Sequence, residues 1–310
     1  MKIVFMGTPE FALPSLEMLV KEGYEVAAVV TQPDKPAKRG KKITMPPVKE
    51  YAISKGLKVL QPQKIKTAEF LKTLEEIKPD LLITVAYGKI LSKEILELPP
   101  LGCINVHASL LPKYRGAAPI HWCIINGEKT TGITTMYTNE GLDTGDILLK
   151  AEVPIADDMT VGELHDKLSA LGAEVLKQTL KKLEANELER IPQDDSIATY
   201  APIITKNIGE IDWSKSSCEI YNLIRGTNPW PGAFTYYKGC TMKVWESEIV
   251  SEEPHDLKPG TICKVNREGI LVCCGKGKIN IKEVQFASCR RMCVGDYICG
   301  NKIDEGEILG

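Results

Sequence analysis

The sequence lacks most signatures of a tightly bound cofactor. No G-x-G-x-x-G follows the first strand-like run, where Gly7-Thr8-Pro9 supplies a single glycine, and this argues against a nicotinamide dinucleotide. No G-x-x-x-x-G-K-[ST] occurs, so a nucleotide P-loop is unsupported. Cysteines with paired metal-ligand spacing are missing too. Ten cysteines are present, but Cys103, Cys123, Cys218, Cys240 and Cys263 are scattered and Cys273-Cys274 are adjacent. Cys289-x3-Cys293-x5-Cys299 does not reproduce a C-x2-C pair. Free thiols and no metal are the expectation. Charge of one sign is lacking: 39 Lys+Arg against 41 Asp+Glu leave a formal net charge of −2. Any attraction to a polyanion must then come from local clusters. No apolar run reaches the length of a membrane span. Met1-Lys2-Ile3-Val4-Phe5 reads directly as a strand rather than as a secretory leader. The expected compartment is the cytoplasm, with no membrane association and no obligate protein partner.

What is present describes a globular chain of 310 residues, 43% hydrophobic and 26% charged, long enough for two domains. Residues 2–6 form a buried-strand run, 13–21 a helix and 25–31 a second strand. This βαβ rhythm suggests a parallel, Rossmann-like sheet. Residues 46–55 and 67–77 read as helices, and 80–86 as a further buried strand ending at Tyr87-Gly88. A helix is expected over 116–126, carrying His121 and Trp122 as packing residues. A strand pair over 132–137 and 146–153 flanks a polar loop. Residues 160–184 form a long amphipathic helix with Val161, Leu164, Leu168, Leu171, Val175 and Leu183 on one stripe; His165 within it is read as structural. Prolines and acidic residues break the pattern over 190–206. Beyond them a helix over 218–225 and short strands over 241–250, 261–265, 269–274 and 278–285 suggest a small OB-like β-barrel. The expected division is 1–189 as an α/β domain, 190–206 as linker and 207–310 as the β domain.

The chemistry concentrates in Asn105-Val106-His107-Ala108-Ser109-Leu110-Leu111-Pro112-Lys113-Tyr114-Arg115-Gly116. Asn105 and His107 stand two apart at a strand's carboxyl end, so both side chains face one way. An amide donor and an imidazole so placed can polarise a carbonyl and stabilise an oxyanion. Gly141-Leu142-Asp143-Thr144-Gly145 lies about one hairpin further on. A carboxylate from it that reached His107 would fix its tautomer and favour its protonated form. Ligands of open α/β sheets bind beyond the carboxyl ends of strands, where Ala86, Tyr87 and Gly88, the Asn105–His107 pair and residues 138–143 are expected to converge. Charge is locally uneven. Lys35, Lys38, Arg39, Lys41 and Lys42 crowd one loop with Pro36 and Gly40. Residues 258–291 hold eight basic residues against Glu268 and Glu283, a formal +6. Each cluster reads either as a solvated face or as a contact for phosphates.

The string Asn105-x-His107-x-Ser109-Leu110-Leu111-Pro112, then Arg115-Gly116 and later Asp143-Thr144-Gly145, resembles the folate-dependent formyltransferases. The resemblance extends over essentially the whole chain. It includes Met6-Gly7-Thr8-Pro9-Glu10-Phe11-Ala12, Thr31-Gln32-Pro33-Asp34-Lys35-Pro36, Lys38-Arg39-Gly40-Lys41-Lys42 and residues 224–234. It implies an α/β formyltransferase domain followed by an OB-like domain. The implied reaction moves the formyl group of 10-formyltetrahydrofolate, a co-substrate, to the α-amino group of methionine on initiator tRNA. By the same resemblance Asn105, His107 and Asp143 are the catalytic trio. Ser109, Leu110, Leu111 and Pro112, with Ala86, Tyr87 and Gly88, help form the folate pocket. Lys38, Arg39, Lys41 and Lys42 and the second domain meet the tRNA. Two departures, Tyr114 for a frequent Trp and Arg225-Gly226 for a commoner Arg-Ala, fall outside the residues assigned to chemistry. The trio alone does not separate this acceptor from glycinamide ribonucleotide or a nucleotide-sugar amine, nor from formyltetrahydrofolate hydrolysis.

Overall fold

The apolar run near the amino terminus forms β1, Lys2–Gly7. Ile3 and Phe5 on one side and Val4 and Met6 on the other are all at 0% exposure. A strand apolar on both faces must be covered on both, and here it lies inside a sheet. The computed structural model describes residues 1–36 and 43–310. They divide into two compact units, one of residues 1–119, 130–154 and 165–202, the other of 120–129, 155–164 and 203–310.

In the first unit β1 is joined by β2 (Glu25–Val30), β3 (Val59–Leu60), β4 (Leu81–Val85), β5 (Cys103–His107), β6 (Thr130–Tyr137) and β7 (Ile147–Pro154). The spatial order is β7-β6-β5-β4-β1-β2-β3. The ladders from β3 to β5 are parallel, whereas β6 runs antiparallel to β5 and β7 antiparallel to β6. The expected mostly parallel α/β sheet is therefore present. Helices Leu13–Lys21, Pro47–Ser54 and Ala68–Ile77 follow the sequence expectation. The last begins where the Thr67 hydroxyl accepts from the Phe70 N–H, leaving one fewer orphan donor. Phe70 and Leu74 from it pack with Val4, Met6, Ala28, Val30 and Leu82 in one core cluster. The helix expected over 116–126 is shorter, Pro119–Ile125. Arg115–Gly116 instead pairs in parallel with Tyr200–Ala201, and Gly116 has φ of +114°. A Cβ there would lie 2.8 Å from the Ala201 carbonyl oxygen, so only glycine fits that crossing. The long helix spans Val161–Glu184, opened by Thr160 and Glu163 exchanging side-chain and backbone bonds as a capping box. Among the described residues no helix is long and apolar enough to cross a membrane.

The second unit is an antiparallel β domain. Its strands are β8 (Ala233–Tyr237), β9 (Cys240–Ser251), β10 (Ile262–Asn266), β11 (Gly269–Cys273), β12 (Lys278–Phe286) and the short β13 (Met292–Cys293). They are ordered β8-β9-β12-β11-β10, with β13 on β12. The final residues lie against both edge strands. The Ile262 N–H donates to Glu307 O at 2.9 Å and the Gly310 N–H to Tyr236 O at 3.0 Å. Helix Ser217–Gly226, with a Ser216/Glu219 capping box, lays Ile220 and Ile224 on a core that includes Trp213, Val244, Val272 and Ile281. Gly226 leaves little room for a side chain: a Cβ there would stand 2.6 Å from Ile125 Cγ1. Trp213 is 5% exposed, and its indole N–H donates to Thr235 Oγ1 at 2.9 Å inside this core. Thr235→Val keeps the shape but strands that donor. It is expected to destabilise the protein by about 1–3 kcal/mol, the cost of a buried unsatisfied group, read as a lower midpoint in urea unfolding. An unchanged midpoint would show that the indole finds another acceptor.

Candidate active site

Strands β4 and β5 are parallel neighbours, so their carboxyl ends open side by side. Thr84 pairs with Asn105 across this ladder, and its hydroxyl donates to Asn105 Oδ1 at 2.9 Å. With the amide oxygen engaged, the Nδ2 end of half-buried Asn105 is the one left to donate. Beyond β4 the chain turns through Ala86 (φ +47°) and Gly88 (φ +76°), both exposed. Tyr87 between them is 4% exposed. Its carbonyl accepts from Gln32 Nε2 at 2.9 Å. Burial pushes its phenol up to about 12, which keeps the hydroxyl protonated.

Across the β5–β6 ladder Asn105 stands opposite Met136 and His107 opposite Thr134, and such paired residues share a sheet face. Two loops fold over that face. In the first, the Thr134 hydroxyl donates to Ser109 O at 2.6 Å and accepts from the Leu111 N–H at 3.2 Å. This loop brings the Tyr114 carbonyl to 2.9 Å from His107 Nε2. A carbonyl only accepts, so Nε2 carries the proton and Nδ1 is left facing the second loop. Tyr114, at φ +60°, thus touches the imidazole through its backbone, although the sequence reading placed it outside the chemistry.

The second loop carries Asp143, whose Oδ2 lies 3.7 Å from His107 Nδ1 and accepts from the Gly116 N–H at 2.8 Å. The His107 and Asp143 side chains are 7% and 16% exposed, so this pairing is largely withdrawn from water. Convergence of residues 138–143 at the strands' carboxyl ends was the expectation; Asp143 meets it at His107, but Thr138, whose N–H bonds Cys103 O, does not. Because β6 is antiparallel, Tyr137 pairs with Ile104 and the loop leaves from the amino end of β5. It reaches His107 only by folding back along the sheet face. Asp143 sits in the left-handed region at φ +54° within that return. Gly145 packs directly on the Tyr137 carbonyl, where a side chain would not fit.

The segment expected to be a linker supplies what holds the loops. The Ile191 N–H and C=O bond Ile147, the Thr199 carbonyl accepts from the Arg115 N–H, and Thr199 Oγ1 accepts from the Tyr114 N–H at 2.8 Å. Arg115 is 2% exposed and gives Nε and one terminal nitrogen to Gln193 Oε1 at 3.0 and 2.9 Å. Gln193 Nε2 in turn donates to the carbonyls of Asp143 and Gly145, each at 2.8 Å. Asp195 Oδ1 adds a bond to Arg115 at 2.7 Å, but its side chain is 81% exposed, which screens the pair. Sequence reading missed Thr84, Thr134 and Gln193. The one available signal was Arg115, an arginine inside an otherwise apolar motif that must find partners once buried.

The remaining expected residues fall in several places. Ser109, Leu111 and Pro112 are buried and Leu110 is half-buried; the Ser109 hydroxyl is given to Lys113 O at 2.7 Å. These residues are therefore tied into the scaffold of the first loop. Lys38, Arg39, Lys41 and Lys42 lie outside the described residues. Within the basic 258–291 stretch, Lys282 is paired with Glu248 at 2.5 Å and Arg291 with Glu283. His121 is half-buried, edge-on to the Trp230 ring at 6.4 Å, and His165 is edge-on to Phe11 at 5.4 Å.

Comparison with known proteins places this geometry in a family. A formyl transferase family model matches residues 1–180, and a model of the formyl transferase C-terminal domain matches residues 203–302. The methionyl-tRNA formyltransferase of Acetivibrio thermocellus is 67% identical over 310 residues, covering 100% of both chains. That of Ruminiclostridium cellulolyticum is 64% identical over 311 residues with the same coverage. Among solved structures, an N-formyltransferase from Helicobacter canadensis, in complex with folinic acid and dTDP-3-aminofucose, superposes with a TM-score of 0.69. It covers 93% of this chain and 100% of its own at 23% identity, a likeness of fold alone. HypX from Aquifex aeolicus gives a TM-score of 0.65 at 16% identity, with 98% of this chain and 49% of its own covered. Matched in both of its parts and paired end to end with such relatives, the chain belongs to the formyl transferase family, among the methionyl-tRNA formyltransferases.

Proposed function

We propose that this protein transfers the formyl group of 10-formyltetrahydrofolate to the α-amino group of methionine on initiator tRNA, giving N-formylmethionyl-tRNA for translation initiation. The observation that carries this reading is the end-to-end 67% identity with a methionyl-tRNA formyltransferase. A cytoplasmic location is proposed with it, where initiator tRNA is charged and used.

The reaction forms a C–N bond between the formyl carbon and the amine, breaks the bond from that carbon to the folate nitrogen, and moves one proton from the amine to that nitrogen. An α-amine has a pKa of roughly 7.7–8.0, so losing its proton demands little of the enzyme. Charge gathering on the formyl oxygen is the harder part. Asn105 Nδ2, turned outward by the Thr84 hydroxyl, is one donor to that oxygen. His107 is the other when protonated at Nδ1, its ring held in plane by the Tyr114 carbonyl at Nε2. Asp143 Oδ2, facing Nδ1, steadies the positive ring and is placed to collect the amine proton directly or through a water. Ser109, Leu110, Leu111 and Pro112, with Ala86, Tyr87 and Gly88, are proposed to border the folate. A glycinamide ribonucleotide or sugar-amine acceptor remains the competing reading. An assay offering the formyl donor with charged initiator tRNA and, separately, with those amines decides between them. Preference for a small amine would overturn the tRNA reading.

Lys38, Arg39, Lys41 and Lys42 are proposed as tRNA contacts, because a compact amine gains little from four crowded basic residues whereas closely spaced phosphates gain much. Arg39→Ala is expected to raise KM for charged initiator tRNA and leave folate binding alone, since a planar fork grips phosphate or a base edge where alanine cannot. Lys41→Ala combined with Lys42→Ala should lower the salt slope of tRNA binding by about 1–2, close to one for each phosphate no longer neutralised. Parental KM and salt slope would reduce the run to a solvated turn.

A further inference from the structure

We infer that Gln193 is a positioning residue that holds Asp143 against His107, and this rests on the reading of Asp143 above. The loop of Asp143 leaves beside the amino end of β5 and must be kept folded back over the sheet face. Gln193 does this with a full set of bonds. Its amide nitrogen gives one hydrogen to Asp143 O and the other to Gly145 O, both at 2.8 Å. Its amide oxygen takes two from the Arg115 guanidinium, at 3.0 and 2.9 Å.

Two donors toward carbonyls and two acceptor positions toward a guanidinium are what a carboxamide supplies. Glutamate would match Arg115 but press a charge on two carbonyl oxygens. Methionine has the length and none of the bonds. The bonded carbonyls belong to Asp143 itself and to the residue two further on, so they set the left-handed turn at Asp143, φ +54°, from which its carboxylate reaches Nδ1 and the Gly116 N–H. Arg115 carries the coupling into the other loop. Its own N–H bonds the Thr199 carbonyl, and the neighbouring Tyr114 carbonyl holds Nε2 of the same histidine. Gln193 thereby ties together the two loops that face the two nitrogens of His107, one through the Tyr114 carbonyl and the other through the Asp143 carboxylate.

The test is kinetics with 10-formyltetrahydrofolate and charged initiator tRNA on the full chain, comparing Gln193→Met, Gln193→Glu, Asp143→Asn and Asp143→Asn/Gln193→Met. Single-turnover conditions at high enzyme concentration keep the slow variants measurable. Gln193→Met is expected to lower kcat about 10- to 100-fold, the usual consequence of a displaced reacting group, with KM for both substrates nearly unchanged. Gln193→Glu should lose as much, and it keeps the question open to measurement if the methionine variant fails to fold. In the Asp143→Asn background the same Gln193 change should cost almost nothing, because groups acting as a unit are not additive. Equal losses in the two backgrounds, or parental kcat in Gln193→Met, would overturn the inference. An indifferent Gln193 beside a crippled Asp143→Asn overturns this inference alone, whereas a fully active Asp143→Asn removes both it and the role of Asp143.

Discussion

Asn105→Ala is expected to lower turnover about 100- to 1,000-fold, corresponding to roughly 2.7–4 kcal/mol, while folate and tRNA affinity change little. The size follows from when the bond matters. A neutral formyl oxygen in the ground state takes little from an amide N–H, but the charge that develops on it takes much more. Asn105 is set for this in advance. The Thr84 hydroxyl at 2.9 Å fixes which end of the amide turns outward, so no reorientation is needed during the reaction. Alanine removes the donor and leaves β5 unaltered, because the backbone of Asn105 still pairs between Thr84 and Met136. Measured kcat and KM for each substrate check this, and near-parental turnover in Asn105→Ala would falsify the oxyanion role.

Asp143→Asn is expected to do more damage, a loss of about 10,000-fold, by analogy with carboxylates that orient a catalytic imidazole. The reason is specific to this geometry. Oδ2 both accepts from the Gly116 N–H at 2.8 Å and is the oxygen 3.7 Å from His107 Nδ1, so the new amide keeps an oxygen facing the ring, but a neutral one. Nε2 already gives its hydrogen to Tyr114 O, so a second proton at Nδ1 makes the ring positive, and a neutral amide oxygen does not balance that charge as a carboxylate does. Without the carboxylate's charge the ring no longer holds a proton at Nδ1 for the formyl oxygen, and the acceptor for the amine proton is lost as well. Single-turnover rates, together with circular dichroism to confirm an unchanged fold, are the measurement. Full activity in a folded Asp143→Asn would mean that the carboxylate is dispensable.

Much of the fold was legible from local pattern. β1 and β4 are apolar on successive residues and are buried on both faces, while the long helix shows its stripe at Val161, Leu164 and Leu168, all buried. The expected helix over 116–126 erred because Arg115–Gly116 pairs with Tyr200–Ala201, a partner nothing near Gly116 announces. The residues 190–206 were read as a linker for the same reason. Their prolines and acidic residues break every local period, yet through Ala201 the segment is bonded into the first unit.

Sequence by itself determined that Asn105 and His107 face one way at a strand end, because side-chain direction in an extended backbone alternates within two residues. It also carried the resemblance that linked Asp143 to them. Only the tertiary structure decided how the three are held: the amide of Asn105 by Thr84, the imidazole by the Tyr114 carbonyl, and Asp143 by Gly116 and Gln193. The physical reason is range. Strand and helix periods are written in neighbouring residues, but a hydrogen bond needs only a donor and an acceptor in reach. Gln193 and Arg115, 78 residues apart, have the same bonding capacity anywhere in a chain until the fold brings them together.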